Sequence, residues 1–354
     1  MAETADRKLI GKSRQQSEAR RQARTALSFR FLLCGLLVML TIVVRVWSQQ
    51  STSPAAGVPA RITILYLNDV HQFTAIEGGT RGSLARVSTI VKLIRKESPN
   101  TIFVLAGNTL SPSRESVTDE GRQMINAWNA AGLDLAVIGN QDFAFGTKVL
   151  QQRIKESRFR WLGANILEGG KTLDGVSPTT IFSFAQSRAG NLSVAFLGLV
   201  GPKSIPDAVG NVSFSDPNEA APALLQGMRV SGVKVFIALT NMSLQDDQEL
   251  ARRVPDLALI IGGRSDAITK VISGRTPIFK TSGEARELGR LDLNFDPIRG
   301  DLLSIDSTII PVTSQIPDDP QFALLGANYL KPESPVGASP CVDKPPANPS
   351  SCEH

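Results

Sequence analysis

ITILYLNDVHQF, residues 62–73, is a short apolar run that breaks abruptly into a polar loop. The run has strand character, and the loop gathers an amide, a carboxylate and an imidazole within four residues, Asn68 to His71. Shortly after it comes LARVSTIVKLIRKE (84–97), which places Leu84, Val87, Ile90, Val91 and Ile94 on one face at helical spacing. The same unit recurs. TIFVLA (101–106), LDLAVI (133–138), LSVAFLGL (192–199), VKVFIAL (233–239) and LALII (257–261) are further buried runs, most followed by a polar loop. Runs this uniformly apolar belong to strands covered on both faces, and their alternation with helices predicts an α/β protein. TPIFKTS (276–282) and LGRLDLNF (288–295) follow each other with no helix between them, as in a mixed second sheet. No internal repeat is visible.

Outward from this region the composition changes. Residues 49–60 and everything after Val312 are rich in Pro, Ser and Ala, which bounds the folded domain at about 61–312 and predicts a disordered tail over 313–354. The net charge of +5 is concentrated at the N-terminus, where Arg7, Lys8, Lys12, Arg14, Arg20, Arg21, Arg24 and Arg30 face only Glu3, Asp6 and Glu18. The rest is near neutral and poor in aromatics, which excludes a nucleic-acid partner. FLLCGLLVMLTIVV (31–44) carries no charge and follows that basic tail. As a helix it rises about 21 Å against roughly 30 Å of hydrocarbon, so flanking residues to about 48 complete the span. Residues 31–48 are therefore expected to be a signal-anchor or a signal peptide, with tail 1–30 in the cytoplasm and the folded domain outside it, periplasmic or extracellular. Cys341 and Cys352, in the last stretch, are compatible with a disulfide or with two thiols.

In open α/β folds functional residues gather where strands end. Those positions read NDVHQF (68–73), AGNTLSPS (106–113), IGNQDFAFG (138–146), LTNMSLQDD (239–247) and IIGGRSDAI (260–268). In order and spacing they resemble the catalytic domain of the 5′-nucleotidases and the wider calcineurin-like metallophosphoesterases, whose loops read D-x-H, G-D-T-L, G-N-H-[DE]-F-D, a lone His, and G-G-H-S-H. The resemblance covers nearly all of 61–312. It implies a four-layer α-β-β-α sandwich with two mixed sheets, and a pair of divalent metals that clamps a phosphate and supplies hydroxide.

Asp69, His71 and Asn140 match the family's ligand positions, and the others depart. Asn108 stands for the bridging aspartate, Gln141 for the histidine of G-N-H, Ala144 for the aspartate that orients it, Asn241 for the lone histidine, and Arg264 and Asp266 for the last two histidines. The chain has only two histidines, His71 and His354, so a site needing five cannot be assembled. The expectation is a degenerate phosphoesterase, a pseudoenzyme that binds or scaffolds, with no intact catalytic residue and no cofactor. If any cofactor binds, it is a weakly held divalent metal on mostly oxygen ligands, suited to Ca²⁺ or Mg²⁺. The alternatives are a still-active, single-metal phosphoester hydrolase and an inert structural domain. Arg264 is expected to pair with Asp69 in place of metal charge or to receive an anionic or phosphate ligand. Asp246 and Asp247 are expected to complement a helix dipole. The resemblance implies the phosphoesterase half only, and the family's C-terminal, base-stacking domain is not expected in this stretch.

Overall fold

The computed structural model describes residues 60–329 apart from 111–112, 114–117, 187–189, 202–208 and 231. The segments 1–30, 31–48 and 49–59, and residues 330–354 with both late cysteines, lie outside the described residues. Among the described residues no helix is long and apolar enough to cross a membrane.

The first sheet is built from β1 (Ala60–Leu67), β2 (Thr101–Leu105), β3 (Leu135–Val137), β4 (Arg160–Leu162) and β5 (Val176–Ser177), all parallel. The second contains β6 (Thr179–Gln186), β7 (Gly190–Val200), β8 (Val235–Asn241), β9 (Leu257–Gly262), β10 (Thr269–Ser273) and β11 (Thr276–Lys280), in the order β6-β7-β8-β9-β11-β10. Its β7, β8, β9 and β11 run parallel, and β6 and β10 pair antiparallel at the two edges. Two last strands return to the first sheet: β12 (Glu287–Phe295) lies antiparallel beside β1, and β13 (Leu302–Pro311) pairs antiparallel with β12 at the sheet edge. Both large sheets are mixed, as expected.

Apolar side chains from the facing sides of the sheets fill one core, with Ile64, Tyr66, Val194, Phe196, Ile237, Leu239, Ile261 and Phe279 all buried. Helices α1 (Leu84–Glu97), α2 (Arg122–Ala131) and α3 (Thr147–Glu156) cover the first sheet through Val87, Val91, Met124, Ile125 and Leu150. Helices α4 (Pro217–Val230) and α5 (Leu244–Arg253) cover the second, closing a smaller core of Leu197, Leu225, Phe236, Leu250 and Ile260. This is the α-β-β-α order.

Two expectations need correcting. LGRLDLNF does not join TPIFK in the second sheet: its alternating buried residues Leu291, Leu293 and Phe295 present one face to the core, and it pairs with β1. The tail after Val312 is not wholly disordered, because Gln321–Tyr329 forms α6. Phe322 is buried, Leu325 and Tyr329 pack against the main core, and Asp319 before the helix pairs with Lys92. The Pro/Ser-rich average of the tail hid this i, i+3, i+7 apolar spacing.

Candidate functional site

Parallel strands deliver all their C-terminal ends to one edge. The loops after β1, β2, β3, β8 and β9 therefore meet, and so does the loop after β11. That sixth loop, residues 281–286, leaves the second sheet and enters the first, passing over the end of β1, where Glu284 N–H donates to Asp69 O at 2.8 Å.

Six of the positions picked from sequence come together. Asn108 is at their centre. Its Nδ2 donates to Asp69 Oδ1 at 2.9 Å and to Asn140 Oδ1 at 3.3 Å, and its Oδ1 accepts from the Gln141 backbone N–H at 3.0 Å. A backbone N–H can only donate, so it settles which end of the amide is oxygen and turns the NH₂ toward Asp69. Asn241 is fully buried, accepts from Asn140 N–H at 3.3 Å and donates to Ala106 O at 3.4 Å. The fit depends on glycine: a Cβ on Gly139 would lie 2.1 Å from Asn108 Oδ1, and one on Gly263 would lie 1.9 Å from Ala106 O.

His71 lies between two acceptors, Glu284 Oε1 at 2.6 Å from Nδ1 and Gln141 Oε1 at 2.9 Å from Nε2. Burial acts most strongly on the imidazole and lowers its pKa. The Glu284 hydrogen bond and charge, with Gln141 and Asp69, outweigh it and hold His71 above the usual histidine range. Each ring nitrogen faces an oxygen, an arrangement in which a protonated ring can donate from both N–H groups. Burial raises the Asp69 carboxyl, against the hydrogen bonds from Asn68, Asn108 and the Ser265 backbone.

Arg264 and Asp266 are exposed and do not join this cluster. Asp69 takes its donors from Asn68 Nδ2 at 2.9 Å, Asn108 and Ser265 N–H at 3.3 Å, not from Arg264. The expected Arg264–Asp69 pair is therefore not formed: neutral amides already satisfy both carboxylate oxygens. Ala144 is exposed too, one residue beyond the 3₁₀ turn Asn140–Phe143.

Several participants were missed from sequence. Asn68 is fully buried and ties the first loop to the last, accepting from Thr281 N–H at 2.7 Å and Thr281 Oγ1 at 2.6 Å. Asp142 is buried and accepts from the N–H groups of Thr109, Leu110 and Gly139, pinning the second loop to the third. Burial is the largest influence on its carboxyl and raises it. Glu284 had a readable signal, since the residues just past TPIFK occupy the same kind of position as the other loops. Asp247 does more than complement a dipole. It is fully buried, its Oδ2 lies 2.6 Å from Lys280 Nζ, and it accepts from Thr240 Oγ1 at 2.6 Å. Lys280 donates to Met242 O and Gly263 O, which fastens the loops after β8 and β9 from behind. Asp246 keeps the capping role, exchanging hydrogen bonds with Ser243 at the start of α5.

A binuclear metal centre does not fit these residues. It needs several carboxylate or imidazole ligands converging on two cations, but among the matched positions that come together only Asp69 and His71 are such groups, both nitrogens of His71 face other side chains, and the bridging position offers N–H groups. Among the described residues no three His, Cys, Asp or Glu side chains cluster as a metal site.

No family model matches the chain. It is 26% identical to human 5′-nucleotidase over 302 residues, 76% of this chain and 52% of that protein. It is 24% identical to the snake venom 5′-nucleotidase of Gloydius brevicauda over 313 residues, 79% of this chain and 53% of that one. The structure superposes on a 5′-nucleotidase precursor of Thermus thermophilus with a TM-score of 0.68 at 22% identity, covering 77% of this chain and 59% of that chain. For the calcineurin-like phosphoesterase YfkN of Bacillus subtilis the TM-score is 0.66 at 19% identity, over 77% and 98% of the chains. The chain is thus similar in sequence to 5′-nucleotidases and shares the fold of the calcineurin-like phosphoesterases. It spans about half the length of the curated relatives it matches.

Proposed function

We propose that this 5′-nucleotidase-like domain has lost phosphoester hydrolysis and serves as a binding or scaffolding module outside the cytoplasm, tethered by residues 31–48. The single observation that carries the loss of hydrolysis is the Asn108 amide, which donates protons where the family's chemistry needs a bridging carboxylate. Asn241, Gln141 and Ala144 in place of histidine, histidine and aspartate support it. The outside location is supported by the basic tail before the apolar run and by relatives described as venom proteins.

Purified full-length protein is expected to carry substoichiometric transition metal by elemental analysis and to leave p-nitrophenyl phosphate and AMP intact with added Mn²⁺, Zn²⁺ or Ca²⁺. Two bound metals with hydrolysis would overturn the reading, and one metal with hydrolysis would favour a reduced, single-metal phosphoester hydrolase. Sedimentation with membranes is expected, and a soluble form beginning near Gln49 would make the segment a cleaved signal.

A further inference from the structure

We propose that Asn108 is the positioning residue that takes over the mechanical work of a metal pair in this site: its amide joins three loops, and its N–H groups make those loops refuse a divalent cation. The inference rests on the non-hydrolytic reading above and extends it to how the site holds its shape.

In a binuclear centre the cations tie together loops that come from different strands. Here Asn108 reaches the first loop through Asp69 and the third through Asn140 and the Gln141 N–H. The remaining joints are also free of metal. Asn241 binds the loop after β8 to the second and third loops, Asn68 binds the first loop to 265 and 281, and Lys280 holds Met242 to Gly263. Asn108 is the joint whose replacement by aspartate would turn donors back into acceptors. A carboxylate there would face Asp69 across 2.9 Å and the Asn140 carbonyl oxygen across 3.3 Å, three oxygens around one point. That arrangement repels itself when empty and suits a hard cation. The backbone makes the exchange testable, because the Gln141 N–H remains satisfied by either side chain. Asn108 has φ 28 and Asp69 φ 50, left-handed conformations that asparagine and aspartate adopt more readily than alanine.

The test compares wild type, Asn108→Ala and Asn108→Asp as full-length protein, by thermal unfolding in EDTA and in rising MnCl₂, with bound Mn²⁺ counted by electron paramagnetic resonance. Wild type is expected to unfold at the same temperature in both and to bind no ordered Mn²⁺. Asn108→Ala should unfold roughly 5 °C lower in both. Asn108→Asp should be lowered in EDTA and restored saturably by Mn²⁺, a rescue that a merely space-filling role could not give. A saturable rise of the wild-type Tm with Mn²⁺, an unshifted Asn108→Ala, or an Asn108→Asp indifferent to Mn²⁺ would each overturn the proposal. If neither variant accumulates folded, hydrogen exchange of the wild-type Gln141 amide decides: protection unchanged by EDTA supports the proposal, and protection lost in EDTA overturns it. Phosphoester hydrolysis by wild type would end the non-hydrolytic reading. A neutral Asn108→Ala in a protein with neither metal nor hydrolysis would end only the role of Asn108.

Discussion

His71 is the one imidazole in the described domain, and its chemistry is set by a residue more than two hundred positions away, Glu284. Replacing Glu284 by Gln keeps the shape and removes the charge, so the His71 pKa is expected to fall, as a ¹H–¹⁵N titration of the ring would report. The sign for stability follows from the direction of the shift. A histidine raised in the folded state stabilises fully below its unfolded pKa of about 6.5 and loses that contribution as pH climbs through the higher folded value. The stability advantage of wild type over Glu284→Gln should therefore be larger at pH 6 than at pH 8. An advantage that grows with pH would mean that His71 is held as the neutral ring.

At the scale of elements, the loops are held from behind by a buried ion pair. Lys280 on β11 and Asp247 on α5 are essentially inaccessible to water. Removing one member leaves the other charge uncompensated, so Lys280→Met should cost roughly 3–5 kcal/mol. Adding Asp247→Asn should recover part of that loss, because the two changes share one interaction. Burial pushes the Asp247 carboxyl up to about 6, against Lys280 and Thr240. A carboxyl raised in the folded state binds its proton more tightly there than in the unfolded chain. The stability of wild type relative to Asp247→Asn should accordingly decline from about pH 4 to about pH 6 and level off above. A rising difference in chemical denaturation would contradict burial as the dominant influence. Between β1 and β12 the constraint is steric, since a Cβ on Gly289 would lie 2.1 Å from the Tyr66 ring. Gly289→Ala should cost about 1–3 kcal/mol, and a smaller residue at Tyr66 should relieve it.

For the whole molecule, the terminal helix α6 tests where the domain ends. Phe322 is buried, Tyr329 accepts from Asn126 Nδ2 at 2.5 Å, and Asp319 meets Lys92 and Ser88 on α1. A chain stopped after Val312 should melt several degrees lower and bind a hydrophobic dye through the uncovered surface around Phe73 and Ala85. An unchanged melting curve would restore 312 as the functional boundary.

Periodicity and order along the chain by themselves determined much of this. Buried runs alternating with LARVSTIVKLIRKE specify parallel strands under helices, and strand-end loops must share one edge, so the loops that carry the site were legible from the pattern, while Asp69, His71, Asn108, Asn140, Gln141 and Asn241 within them were singled out by the family resemblance. The scarcity of imidazole was legible as well, because two histidines in the whole chain cap what any fold can assemble. Tertiary structure alone decided who satisfies whom. Arg264 and Asp69 looked like partners by charge, yet amides from Asn68 and Asn108 reached the carboxylate first. Glu284, Lys280 and Asp247 matter through contacts across two sheets, and β12 chose the first sheet over the second. Hydrogen bonding and burial depend on which distant segments the core brings within about 3 Å, a quantity that local sequence patterns do not encode.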